Sequence, residues 1–129
     1  MSVERTPEYL ADLLTELRRL PGETSWLEFK ENNSNPEEIG EYVSALANMA
    51  ALAGKAHGYV VWGIRDGSHD VVGTSFRPAT LRKGGAELES WLLQLLTPRV
   101  HFHFHELVCE GKPVVILEIP RAIARPVQF

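Results

Sequence analysis

The hydrophobic positions of the chain recur at helical spacing in three stretches. Leucines three or four residues apart predict a first helix over about residues 7–20, with Thr6 as its N-cap. The same spacing predicts a second helix that begins after Asn35 and ends near Gly54, and a third over about residues 88–96. Each helix therefore has one apolar face to bury.

A fourth stretch, residues 26–30, alternates between apolar and charged side chains. Leu27 and Phe29 share one face, while Glu28 and Lys30 share the other. A period of two residues is typical of a half-buried strand. The pattern therefore predicts a strand whose charged side chains point the same way.

Four further stretches complete the predicted sheet. Residues 59–64 are apolar on both faces, which indicates a central strand, and residues 71–73 read as its short antiparallel partner. Residues 100–108 and 114–119 predict a hairpin with a turn at Glu110-Gly111. The order of elements predicts an α+β fold, a single domain with a mixed, mostly antiparallel sheet packed with about three helices.

Length and composition agree with one globular domain. The chain has 129 residues, of which 44% are hydrophobic and 23% charged. Its single cysteine excludes an internal disulfide, and it has no apolar run of the roughly 18 residues that a membrane span needs. We therefore expect a cytoplasmic protein. Because the sequence stops directly after a strand-like run, we also expect residues 1–129 to be a domain cut from a longer chain.

Charge is unevenly distributed along the chain. The formal net charge is −4, but residues 1–41 carry ten acids and four bases, whereas residues 42–129 carry seven acids and nine bases. Lys and Arg side chains contact nucleic-acid phosphates. Any such surface is therefore expected mainly from the later part of the chain. The predicted nucleic-acid-binding residues are Lys30, Arg65, Arg77, Arg82, Lys83 and Arg99.

Three acids and one lysine form a candidate catalytic or metal site. Glu28 and Lys30 share a strand face, Glu23 lies at the preceding turn, and Asp66 follows the central strand. If the two strands pair, Glu23, Glu28 and Asp66 meet. Carboxylate oxygens are the ligands that Mg²⁺ and Mn²⁺ prefer, so such a cluster could hydrolyse a phosphodiester. The alternative is that these acids are simply solvated at strand ends.

Three histidines alternate with phenylalanines near the end of the chain. His101, His103 and His105 share one strand face, opposite Phe102 and Phe104. Such a row could bind zinc or titrate. Because no cysteine or acid stands at ligand spacing, we interpret it as an exposed polar face.

The order of these motifs resembles the Schlafen AlbA_2 domain, also called the divergent AAA-4 domain. The matching segments are WLEFKE at 26–31, SALAN at 44–48, GYVVWGIRDG at 58–67, VVGT at 71–74, LESWL at 88–92, TPR at 97–99 and EGKPVV at 110–115. The resemblance covers nearly the whole chain after the first helix. One departure is a lengthened loop at residues 53–58, where the family commonly has a double glycine.

The resemblance implies a DNA-binding domain of a prokaryotic transcriptional regulator. It also implies an alternative, because relatives include ribonucleases that cut RNA with two glutamates and an aspartate. By motif those positions fall on Glu23, Glu28 and Asp66, with Lys30 beside them, and the cation would be Mg²⁺ or Mn²⁺. Whether the chain is an enzyme stays open at this point.

A third class is a protein-interaction or oligomerisation domain. The acidic first helix offers a charged face suited to self-association, so a homodimer is one predicted assembly. The predicted partners are therefore DNA or RNA, with a second copy of the chain as the other option.

Overall fold

The computed structural model describes residues 5–22, 24–83 and 86–129. Its elements follow the chain in the order α1 (Pro7–Arg18), β1 (Leu27–Lys30), α2 (Pro36–Leu52), β2 (His57–Trp62), β3 (Arg82–Lys83), β4 (Ala86–Glu87), α3 (Leu88–Leu95), β5 (His103–Cys109) and β6 (Lys112–Pro120). The three predicted helices are confirmed.

Side-chain caps start the first two helices, as the sequence predicts. The Thr6 hydroxyl accepts a hydrogen bond from the Tyr9 amide, and the Asn35 side chain accepts one from the Glu38 amide, each over 3.1 Å. These bonds satisfy amides that have no partner within the helix. At the other end of α2, Gly54 takes a left-handed conformation with φ 69°. Helix ends are thus fixed locally.

Four strands form a mixed, mostly antiparallel sheet in the order β1-β2-β6-β5. β1 and β2 are parallel, with α2 as the crossover between them, whereas β2 pairs with β6 and β6 with β5 in antiparallel fashion. β2 lies inside the sheet, and Val60, Val61 and Trp62 are fully buried. The predicted α+β fold class and central strand are confirmed.

Helices cover both faces of the sheet. α1 packs on one face through Leu10, Leu14 and Leu17, against a cluster that includes Leu27 and Phe29 of β1. α2 and α3 cover the other face in a second apolar cluster. Because side chains alternate along a strand, Glu28 and Lys30 lie on the face of α2.

The hairpin between β5 and β6 turns at the predicted residues. Glu110 and Gly111 both have positive φ, at 52° and 75°. A two-residue turn of this kind matches the twist of the strands it joins. Its register pairs Cys109 with Lys112 and His103 with Glu118. This register determines which charged side chains of β5 and β6 lie next to each other.

One expectation about a short strand was wrong, and two very short strands were not predicted. The predicted strand over residues 71–73 reduces to a single bridge between Ile64 and Val71. The carbonyl of Gly63 accepts bonds from the amides of both Val72 and Gly73, and this local turn prevents a longer ladder. The two-residue strands β3 and β4 were missed because so few residues show no periodicity.

The segment after β6 runs back along α2. The Ala122 amide donates to the Ala47 carbonyl over 2.9 Å. The Asn48 side chain donates to the Val127 carbonyl over 3.0 Å and accepts from its amide over 2.8 Å. A backbone bridge joins Thr97 to Gln128. The C-terminal segment is therefore packed as part of the fold.

None of the described helices has the length and apolar character needed to cross a bilayer.

Candidate functional site

Glu28 and Lys30 lie on the edge strand of the sheet, beside the central strand. The register places Glu28 opposite Val60 and Lys30 opposite Trp62. The Lys30 Nζ lies 3.7 Å from Glu28 Oε1. Since Leu27 and Phe29 occupy the other face, both charged groups point towards α2. The sequence prediction of a shared face is confirmed.

Lys30 is held by an aromatic side chain of α2 as well as by the acid. Its ammonium lies 5.0 Å from the centre of the Tyr42 ring. The hydrogen bond with Tyr42 raises the pKa of Lys30, burial lowers it, and the charges of Glu28 and Glu38 raise it further. The net result is a raised pKa, so Lys30 is a fixed cation at neutral pH.

Asp66 lies in an exposed turn at the same end of the two parallel strands as Lys30. The amides of Gly63 and Ile64 both donate to the Lys30 carbonyl, over 2.8 and 3.3 Å. Arg65, directly before Asp66, lies 3.5 Å from a carboxylate oxygen of Glu31. Pairing of the two segments is therefore confirmed.

The third predicted carboxylate, Glu23, lies outside the described residues. Within residues 5–22, 24–83 and 86–129, no group of three or more His, Cys, Asp or Glu side chains could hold a metal ion. The oxygen donors of Glu28 and Asp66 suit Mg²⁺ or Mn²⁺ in chemical type. A three-carboxylate metal site that includes Glu23 stays a prediction.

Three of the predicted nucleic-acid-binding residues form ion pairs with acidic side chains. Besides Lys30 and Arg65, Lys83 lies 2.8 Å from a carboxylate oxygen of Glu37. The hydrogen bond from Lys83 lowers the pKa of Glu37. An adjacent carboxylate repels a phosphate, so these three cations are less suited to bind one.

The other three predicted cations lie in different surroundings. The Arg77 guanidinium donates to the carbonyls of Thr74 and Phe76, which fixes it against its own loop. Arg82 is exposed on β3. Arg99 is exposed at the entry to β5 and lines a cleft together with His101 and Arg121.

Arg121 lines this cleft with Arg99 but is not among the predicted nucleic-acid-binding residues. It lies 22 positions after Arg99, and no local motif links the two. Antiparallel pairing of β5 and β6 brings the start of one strand beside the end of the other. Only a correct prediction of the hairpin register could have grouped these arginines.

The histidine row is not the exposed polar face that the sequence indicates. His101 is exposed, but His105 is buried on the α1 face, and its Nε2 lies 3.2 Å from Glu118 Oε1. Glu118 also pairs with Arg5 over 3.2 Å, and His57 Nε2 lies 3.9 Å away. The interpretation was wrong because β6 carries one acid in an otherwise apolar run, and β5 supplies its partner.

Glu118 is a buried anion held by several partners. Burial by itself raises the pKa of the carboxyl, but hydrogen bonds from His105 and Arg5 and the charges of His57 and Arg5 lower it to about 2. Burial also raises the pKa of neighbouring Tyr59, with a further contribution from Glu118. Glu118 is therefore ionised at neutral pH, and its contacts join β2, β5 and β6 to the chain before α1.

The fold and its charged surfaces define a small α+β domain with helices on both faces of a mixed sheet. The family model described as "Schlafen, AlbA_2" matches residues 23–129. The chain therefore belongs to the Schlafen, AlbA_2 family, which confirms the resemblance seen in the sequence. No curated protein matches the chain significantly.

Two solved structures have a similar fold. One is the N-terminal domain of a RecG-related protein of Nitrosomonas europaea, named after an ATP-dependent DNA helicase, with a TM-score of 0.55 and 22% identity. That match covers 93% of this chain and 76% of the other. The second is the DIP2311 protein of Corynebacterium diphtheriae, with a TM-score of 0.51 and 18% identity, covering 93% of this chain and 23% of the other. At these identities the likeness concerns the fold alone.

Proposed function

We propose that this chain is a nucleic-acid-binding domain, specifically a DNA-binding domain of a cytoplasmic prokaryotic transcriptional regulator. Membership of the Schlafen, AlbA_2 family supports the proposal. So does the fold shared with a domain of a protein named after a DNA helicase. Fold alone does not define function, so the weight rests on the surface.

The observation that carries the proposal is a group of exposed arginines in the later half of the chain. Arg99, Arg121 and Arg125 are exposed, and none of their side chains forms an ion pair with the described residues. Exposed arginines bind phosphates through several donors at once. The net negative charge of the chain does not prevent this, because the acids concentrate before residue 42.

Binding to labelled duplex DNA, single-stranded DNA and structured RNA tests the proposal by fluorescence anisotropy. We expect a dissociation constant of about 10⁻⁴–10⁻⁶ M or tighter that weakens steeply as salt rises, because phosphate contacts release counterions. Absence of binding at about 10⁻⁴ M protein, or binding that ignores salt, would contradict a phosphate-contacting domain.

Two matched variants separate paired from unpaired cations. Arg99→Gln is expected to weaken binding more than Lys83→Gln, because Lys83 is already paired with Glu37 at 2.8 Å. Each change removes one positive charge. Equal effects would contradict the argument that ion pairing decides which cations bind.

A second candidate function is a metal-dependent endoribonuclease. The observation that favours it is the parallel pairing of β1 and β2, which places Glu28 and Asp66 on neighbouring segments with Lys30 beside Glu28. With Glu23, these carboxylates would hold Mg²⁺ or Mn²⁺, which supplies charge stabilisation for phosphodiester cleavage. Lys30 would then stabilise negative charge on the phosphate.

Incubation with structured RNA and Mn²⁺ tests this candidate. Cleavage that is lost in Glu28→Gln and retained in Glu41→Gln supports a nuclease. Glu41 is an exposed acid of α2 that is not among the predicted site residues, and it is therefore the control. Intact RNA at high protein concentration would refute the nuclease and leave the binding proposal standing.

Self-association stays a prediction. Sedimentation velocity of the purified chain distinguishes a monomer from a homodimer, and a concentration-independent monomer would refute it.

A further inference from the structure

A small cleft lies where the entry to β5 meets the exit from β6. It has a volume of about 230 Å³ and is lined by residues 98–101 of one segment, residues 120–123 of the other, and Val127. Arg99, His101 and Arg121 supply its polar side chains. No acid is among the residues that line it.

The two arginines in this cleft are not neutralised by the rest of the described chain. Neither guanidinium forms an ion pair with a described residue. Glu118 is close in sequence, but it lies on the α1 face, where Arg5 compensates its charge. Val100 and Val127 belong to the cluster on the opposite face. The cleft therefore presents the two positive charges of Arg99 and Arg121, with the His101 imidazole beside them.

The backbone on both sides of the cleft is anchored. The Arg121 amide donates to the Ala56 carbonyl over 2.9 Å. Next to the lining residues Pro98 and Val127, Thr97 and Gln128 exchange backbone hydrogen bonds of 2.8 and 2.9 Å. Anchored walls lower the cost of ordering a binding site, because the backbone is already in place.

The size of the cleft limits what it can hold. Sites for drug-sized ligands measure roughly 300–1,000 Å³, so about 230 Å³ suits one charged group better than a whole nucleotide. Arginine donors match phosphate oxygens in geometry. Size and charge together favour a single phosphate group with the rest of its molecule outside.

We infer that this cleft is a phosphate-binding site in which Arg99 and Arg121 hold one phosphate group of a nucleic-acid backbone. The inference rests on the proposed function, because that function is the reason to expect a nucleic acid as the molecule that carries the phosphate. It places the phosphate contact at the end of the sheet where β6 ends and β5 begins. The predicted carboxylate corner lies where β1 and β2 end, which is the opposite end of the sheet.

The test combines two ligands with one double variant. Uniformly ¹⁵N-labelled protein is titrated with inorganic phosphate and, separately, with a DNA oligonucleotide, and amide shifts are followed by NMR. The same oligonucleotide is titrated by anisotropy against Arg99→Gln/Arg121→Gln and against Arg19→Gln. Arg19 is an exposed arginine beyond α1 that pairs with Glu16 over 3.2 Å, so it is the control for loss of an arginine outside the cleft whose charge is already neutralised. Circular dichroism verifies that each variant is folded.

We expect both ligands to shift the amides of residues 99–101 and 121–123. The double variant should bind the oligonucleotide at least tenfold more weakly, as expected for the loss of charged hydrogen bonds. The slope of log K against log salt should also become shallower by about 0.7–0.9, as expected for the loss of one phosphate contact. Arg19→Gln should retain nearly all of the affinity.

The remaining outcomes distinguish a failure of the cleft inference from a failure of the proposed function. If the oligonucleotide binds but shifts other amides, and the double variant binds like the wild type, the cleft is refuted and the nucleic-acid proposal stands. If only inorganic phosphate binds, and does so at these amides, the phosphate site stands and the nucleic-acid proposal fails. If neither ligand shifts these amides, the inference is overturned.

Discussion

Replacing Glu118 by glutamine is expected to cost a large share of the stability of the domain at neutral pH. Glu118 is only 2% exposed and is bonded to His105 and Arg5. Burial opposes its ionisation, but its partners outweigh burial and hold the pKa at about 2, against an ordinary value of 4.5. Glutamine has the shape of the protonated acid and removes the charge.

The size of the effect follows from linkage between ionisation and folding. A folded-state pKa below the unfolded value stabilises the protein above the unfolded pKa, and this contribution disappears as pH falls through the folded pKa. The fall from 4.5 to about 2 corresponds to about 3 kcal/mol, at about 1.4 kcal/mol per pH unit. For a domain with a total stability of roughly 5–15 kcal/mol, such a loss is readily measured.

Urea unfolding of wild type and Glu118→Gln between pH 7 and pH 2 is the assay. We expect a difference of about 3 kcal/mol at pH 7 that narrows between about pH 4.5 and pH 2 as the wild type loses its charge. Glu106→Gln, an exposed glutamate of neighbouring β5, should behave like the wild type. A variant within about 1 kcal/mol of wild type at pH 7 would refute the reasoning.

Two further substitutions test how the C-terminal segment and α2 are packed. Asn48→Ala removes both hydrogen bonds to Val127, and we expect a loss of about 1–3 kcal/mol in urea unfolding; an unchanged midpoint would mean that this anchor adds nothing. Gly58→Ala places a methyl group 2.7 Å from the Leu46 carbonyl oxygen, so we expect a lower Tm and a loss of about 1–3 kcal/mol. Gly22→Ala, with open space around the new methyl, is the control, and equal melting of both variants would contradict the steric argument.

Much of the fold could be predicted from the sequence because its signals are local. Thr6 and Asn35 cap helices through bonds to amides three residues away. The hairpin turn needs only two adjacent residues with positive φ. In β1, side chains alternate between the two faces of the sheet, so the sequence shows which of them share a face without showing what they contact. Fold class, helix starts and the pairing of Glu28 with Lys30 follow from such short-range rules.

The candidate sites could be predicted only in part. The sequence indicates that Glu28 and Asp66 converge if their strands pair. The strands do pair, whereas the convergence of the two carboxylates stays a prediction. It gives no means to tell which cations are neutralised, because Lys83 and Glu37 are 46 positions apart and meet only through packing. The neighbourhood of Arg99 and Arg121 likewise depends on the packing of distant segments.

What the tertiary structure alone decided is the environment of each charge. In the sequence, Glu118 is one acid within an apolar strand, and the alternating pattern predicts that His105 is one of three exposed histidines. The hairpin register and the packing of three layers bring these two together with Arg5 and His57 from distant parts of the chain. Local sequence determines the conformation and facing of a segment because backbone sterics and hydrogen bonds act over a few residues. Burial and ionisation depend on contacts across the fold, so only the assembled sheet and its helices could establish them.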